Sequence, residues 1–146
     1  MHEPAAMAKL QRVRKSLAVS YPPSFWPEDW LRFVQLPPFP RNWDHLGLSH
    51  DDLQVLEAII MVAPTASPVI PGTEGVRKLR FAKGRDSKGK SGGYRIFYVY
   101  FPEFGTVLLL SVLAKSEKSD LSKADEKALA QVVQHIKTLL NSRRVR

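Results

Sequence analysis

Apolar and polar positions alternate over Trp30-Leu31-Arg32-Phe33-Val34-Gln35-Leu36, the period of two expected of a strand, and Pro37-Pro38 closes it. A short turn of helix is predicted around 42–46. Ser49 with Asp52 three residues later forms a capping-box pattern, and Leu53, Leu56 and Ile60 then recur at helical spacing until Pro64 ends the run. Val76-Arg77-Lys78-Leu79-Arg80-Phe81 and Gly93-Tyr94-Arg95-Ile96-Phe97-Tyr98 read as two strands joined by a glycine- and serine-rich turn. The run 107–114 is apolar at nearly every position, which predicts a strand buried on both faces and therefore central. Ser122 with Asp125 repeats the capping signal. Leu129, Val133, Ile136 and Leu140 follow as a stripe of three- and four-residue steps, so a last amphipathic helix packs back on the sheet with Arg143, Arg144 and Arg146 near its C-terminal end. The predicted order is strand, two helices, three antiparallel strands, C-terminal helix: an α+β fold around a small, antiparallel-rich sheet.

Composition narrows the class. The chain has 146 residues, 44% hydrophobic and 25% charged, which suits one soluble core rather than two. Residues 1–29 differ from the rest: Lys9, Arg12, Arg14 and Lys15 stand among Ala and Ser, and Pro22, Pro23 and Pro27 interrupt any regular element. They read as a basic, proline-containing mobile leader, and 30–146 as a single folded domain. With 22 Lys and Arg against 14 Asp and Glu the formal charge is +8, which points to a polyanionic partner. The absence of cysteine excludes disulfides and thiolate metal sites and suits a reducing cytoplasm. No apolar run is long enough to span a bilayer, so no membrane partner is expected.

The cations are concentrated. Arg77, Lys78, Arg80, Lys83, Arg85, Lys88, Lys90 and Arg95 lie within one predicted hairpin, where Glu74 and Asp86 are the neighbouring carboxylates. Lys78 and Arg80 are two apart and share a strand face while Leu79 and Phe81 take the other, so a fixed surface displays them. Lys78, Arg80 and Arg95 are expected to converge on one side of the sheet. Gly84-Arg85-Asp86-Ser87-Lys88-Gly89-Lys90-Ser91 matches the letters of a phosphate-binding P-loop, but such a loop must open a helix, and the aromatic, β-branched run after Gly93 predicts a strand instead. Tyr94, Phe97, Tyr98, Tyr100 and Phe101 are either a base-stacking platform or core. His2, His45, His50 and His135 are scattered, with neither a zinc spacing nor a Ser/His/Asp arrangement among them.

Three segments together, Gly72-Thr73-Glu74-Gly75-Val76-Arg77-Lys78-Leu79-Arg80, Gly93-Tyr94-Arg95-Ile96-Phe97-Tyr98 and Ala114-Lys115-Ser116-Glu117-Lys118-Ser119-Asp120-Leu121, resemble the RelE/HigB branch of the RelE/ParE toxins of bacterial toxin-antitoxin modules. The resemblance covers roughly residues 31–140. It implies a RelE-like fold and a ribosome-dependent mRNA endonuclease that needs no metal and no cofactor. It also implies, as partners, the ribosome, its mRNA and a cognate antitoxin, acidic or of helix-turn-helix type. In that family a substrate 2′-OH attacks the adjacent phosphate while basic side chains hold the RNA and stabilise the transition state. The resemblance assigns Lys78, Arg80, Arg95, Lys115 and Lys118 to the catalytic site. Arg77, Lys83, Arg85, Lys88 and Lys90 are expected to bind RNA.

The chain departs from the family pattern at two points. Ser116 and Ser122 stand where RelE has a functional arginine and tyrosine, and Ser122 is accounted for as a helix cap. Arg80 replaces a lysine, and a guanidinium holds phosphate well but is a poor proton donor. Lys78 is therefore the first candidate acid or base, with Tyr94 and Tyr98 behind it. The alternatives are a ParE-like gyrase inhibitor and a basic binding module with weakened catalysis.

Overall fold

A computed structural model of the chain describes residues 30–82, 93–115 and 120–144. The leader 1–29 and the predicted turn 83–92 lie outside the described residues. Strand β1 (Arg32–Gln35) is followed by helices α1 (Pro38–His45) and α2 (His50–Val62). Strands β2 (Arg77–Phe81), β3 (Tyr94–Phe101) and β4 (Thr106–Ala114) come next, and helix α3 (Lys123–Arg144) ends the described chain. The four strands form one sheet in the order β1-β4-β3-β2. The α+β class and the order of elements agree with the sequence pattern. The pairing of β1 does not follow from it: β1 lies parallel to β4, with Phe33 opposite Val107, so the sheet is mixed.

Local chemistry explains most boundaries. In α2 the Ser49 hydroxyl accepts the Asp52 N–H at 3.0 Å and the Asp52 carboxylate accepts the Ser49 N–H at 2.8 Å, a complete capping box. The same reciprocal pair forms ahead of α3, with Asp125 N–H donating to the Ser122 hydroxyl at 3.0 Å and Ser122 N–H to the Asp125 carboxylate at 3.3 Å. Pro37-Pro38 does more than close β1. Pro38 opens α1, which therefore begins earlier than the turn predicted around 42–46, because proline's fixed φ suits a first helical turn whose N–H groups have no partner.

Two cores sit on the two faces of the sheet. On one, α1 and α2 bury Phe39, Trp43, Leu56 and Ile60 against Leu79, Phe81, Ile96, Tyr98, Val107 and Leu109. The Trp43 ring stacks on Phe39 and its indole N–H donates to the Ser49 carbonyl at 2.8 Å. On the other face, α3 packs Val133, with Leu129, Ile136 and Leu140, on Val76, Phe97, Val99, Leu108 and Leu110. Strand β4 is central, as its apolar run implies. A bulge where Phe97 faces Ser111 and Tyr98 faces Leu109 leaves Leu110 as the extra residue; Leu110 joins the α3 core while Leu109 and Val112 join the other.

The turn before β2 is built, not loose. Gly72, Glu74 and Gly75 all have positive φ, and Glu74 pays the steric cost of that conformation as a non-glycine residue. The fully buried Thr73 holds the turn, its hydroxyl donating to the Ile70 carbonyl at 2.6 Å and accepting the Val76 N–H at 3.1 Å. The Glu74 carboxylate then reaches Lys137 on α3 at 3.6 Å. Residues 68–70 lie along the outer edge of β2, with Lys78 N–H donating to the Pro68 carbonyl and Ile70 N–H to the Val76 carbonyl. This fixes the strand that carries Lys78 and Arg80.

Candidate active site

In the antiparallel pairing of β2 with β3, Lys78 stands opposite Phe97 and Arg80 opposite Arg95. Residues directly opposite in a sheet share a face, and Lys78 and Arg80 are two apart on one strand. All three cations therefore emerge on the α3 side, where Phe97 belongs to the α3 core. Leu113, opposite Arg95 on β4, packs against the same core. The floor of the site is apolar and its surface is cationic.

The three cations are unequally exposed. Arg80 is exposed and the Lys78 side chain keeps 31% of its area, whereas Arg95 retains only 8%. A guanidinium that buried is normally matched by a carboxylate. Among the described residues Arg95 donates only one long hydrogen bond, from Nη1 to the Tyr94 carbonyl at 3.4 Å.

A carboxylate missed by the sequence reasoning stands beside the cluster. Asp120 Oδ2 lies 3.1 Å from Lys78 Nζ, and its Oδ1 accepts the Leu121 N–H at 3.0 Å. The hydrogen bond from Lys78 holds this carboxyl below the usual carboxylate range, against an opposing effect of burial. The Leu121 N–H and the charges of Lys78 and Arg95 add to the lowering. Asp120 is thus tied chiefly to Lys78, with Arg95 a minor contributor. Its place three residues ahead of α3 carried no chemical signal, because the contact joins residues 42 apart in sequence.

The other predicted residues divide. Lys115 is exposed, and its N–H donates to the carbonyl of Gly93, two residues before Arg95, at 2.9 Å, which puts it at the end of the sheet where β3 begins. Arg77 is not brought to the cluster. It stands opposite Tyr98, on the α1/α2 side, and its Nη1 donates to the Thr65 and Ser67 carbonyls at 3.1 and 2.6 Å. Lys118, Lys83, Arg85, Lys88 and Lys90 lie outside the described residues, as does the P-loop-like segment, but the chain continues after it as strand β3.

The aromatic residues are core, not a stacking platform. Phe97 and Tyr98 are fully buried and Phe101 nearly so, while Tyr94 and Tyr100 pack against the α1/α2 core. Tyr94 and Tyr98 face away from the cations, which removes them as proton-transfer candidates. The Tyr98 hydroxyl donates to the Pro64 carbonyl at 2.8 Å, and burial pushes its phenol up despite the opposing Ser67 hydrogen bond and Arg77 charge. His45, His50 and His135 are exposed, and among the described residues no cluster of three or more His, Asp or Glu could hold a metal. No described helix is long and apolar enough to cross a membrane.

Chemically, the site can hold a phosphodiester. An ammonium and two guanidiniums on one rigid surface can contact both non-bridging oxygens and offset the charge that grows on them as a fifth bond to phosphorus forms. No family model matches the chain. Among solved structures it is similar in fold to the E. coli toxin RelE. A double mutant of that toxin in the free state is 17% identical, with 61% of this chain and 87% of that chain covered at a TM-score of 0.44. The isolated toxin is 19% identical, with 70% and 98% covered at a TM-score of 0.39.

Proposed function

We propose that this chain is the toxin of a toxin-antitoxin module, an endoribonuclease of the RelE/HigB type that cleaves mRNA on the ribosome in the cytoplasm, without a metal, and is restrained by a cognate antitoxin. One observation carries the reading: Lys78, Arg80 and the buried Arg95 share one face of the sheet. Two of the three sequence segments that resemble the family contain these same residues. In the reaction the substrate 2′-OH attacks the adjacent phosphorus and the bond to the 5′ oxygen breaks, leaving a 2′,3′-cyclic phosphate and a 5′-hydroxyl. Arg80 and Arg95 stabilise the charge on the non-bridging oxygens, and Lys78 is the group able to exchange a proton. Lys115 and Lys118 extend the catalytic site, and Lys83, Arg85, Lys88 and Lys90 add sequence-independent phosphate contacts.

Single-turnover cleavage on programmed ribosomes, with mRNA ends mapped, tests this. Lys78→Ala and Arg95→Ala should each lower the cleavage rate by about 10²-fold or more while circular dichroism stays native. Full cleavage by both would put the chemistry elsewhere. A second reading, a basic binding module without cleavage, is favoured by Ser122, whose hydroxyl is engaged in the α3 cap where the resembling family has a tyrosine. Growth inhibition without mRNA cleavage would favour that reading, and a parallel gyrase supercoiling assay would separate it from a ParE-like inhibitor.

A further inference from the structure

The proposed phosphate site already contains an anion of the protein's own. Asp120 Oδ2 sits 3.1 Å from Lys78 Nζ, in the field of Arg95, and the Leu121 N–H fixes the other carboxylate oxygen. A carboxylate and a phosphodiester both present two anionic or partly anionic oxygens, and an ammonium with 31% of its side chain exposed cannot give its full coordination to both. The Asp120 side chain keeps 53% of its area, so it has room to swing away. Nothing in the α3 cap depends on it, because Ser122 and Asp125 complete that cap between themselves.

We propose that Asp120 is an internal competitor of the RNA phosphate: it occupies Lys78 in the free protein, and an incoming phosphodiester must displace it. This rests on the nucleolytic reading of the Lys78, Arg80 and Arg95 cluster and adds to it a positioning residue that acts through Lys78. Displacement costs the Lys78–Asp120 contact, so RNA binds less tightly than the cluster alone allows. The competitor also holds the Lys78 ammonium beside Asp120 in the absence of substrate.

The test uses the full chain and a single-stranded RNA oligonucleotide 2′-O-methylated at every position, which cannot be cleaved because the attacking 2′ oxygen is blocked. Binding is followed by fluorescence anisotropy across a salt series. Asp120→Asn and Asp120→Ala should bind about two- to fivefold more tightly near 0.1 M salt, the range of one exposed ion pair. The slope of log K against log salt should steepen by about 0.7, the release of one further counterion from a single strand. In a Lys78→Ala background the same substitutions should change nothing. Asp51→Asn, on α2 behind the opposite face, alters net charge equally and controls for long-range attraction.

Unchanged or weaker binding by both Asp120 variants overturns the proposal, as does an equal gain from Asp51→Asn or an undiminished gain without Lys78. No saturable binding by any of these proteins overturns it as well. Tighter RNA binding by Asp120→Asn with no ribosomal mRNA cleavage by wild type or variant would sink the nuclease reading and leave the competitor in place.

Discussion

Arg80 and Arg95 stand directly opposite each other across β2 and β3, two guanidiniums on one face of the sheet with no carboxylate directly between them in the pairing. Like charges at that separation destabilise a sheet by roughly 0.2–1 kcal/mol, and a strand would ordinarily carry threonine or an apolar residue there. Arg80→Thr should therefore raise the urea midpoint at unchanged m-value while lowering RNA affinity. A variant that loses stability and keeps its RNA binding would make the pair structural.

Arg77 offers the opposite case beside it. Its guanidinium ties β2 to the segment after α2 through the Thr65 and Ser67 carbonyls, and removing it leaves those acceptors short of a donor. Arg77→Ala should cost about 1–3 kcal/mol in urea unfolding and leave single-turnover cleavage by the folded fraction unchanged. Loss of cleavage without loss of stability would return Arg77 to the RNA-binding set.

Comparison of Arg77 with Lys78 indicates what was legible in the sequence. Both capping boxes, the doubly buried β4 and the α3 stripe were readable because each depends on neighbours within one element. The convergence of Lys78, Arg80 and Arg95 followed from strand alternation and the hairpin. The same alternation turns Arg77 to the other face, away from Lys78, Arg80 and Arg95. Parallel pairing of β1 and the Lys78–Asp120 contact depend on elements far apart in the chain, for which no local pattern exists. Proline at 37–38 was ambiguous in principle, since the residue that ends a strand can also begin a helix.

Ser122 separates capping from catalysis. Its hydroxyl accepts the Asp125 N–H at the start of α3, and an N-cap of this kind is worth about 1 kcal/mol. Ser122→Ala should lower stability by that amount and leave the cleavage rate as it was, whereas Ser122→Gly should lose only a few tenths of a kcal/mol. A fall in cleavage by folded Ser122→Ala would assign the hydroxyl a part in the reaction.

Asp120 gives the site a pH dependence of definite sign. Its carboxyl is held below the ordinary range in the folded protein, chiefly by the Lys78 hydrogen bond, so its contribution to stability is fully present above the unfolded value of about 3.9 and is lost as pH falls through the lower folded value. At pH 6 to 7 wild type should exceed Asp120→Asn in unfolding free energy by less than about 1 kcal/mol, because the Asp120 side chain is 53% exposed and solvent screens the pair. The two should begin to converge as pH falls below about 3.9 and meet only below the lower folded value, where protonated Asp120 no longer pairs with the Lys78 ammonium. Urea midpoints measured from pH 7 to about pH 2.5 test the relation. A difference that widens on acidification would mean that Asp120 is stabilised by its protonated form and is not the partner of Lys78.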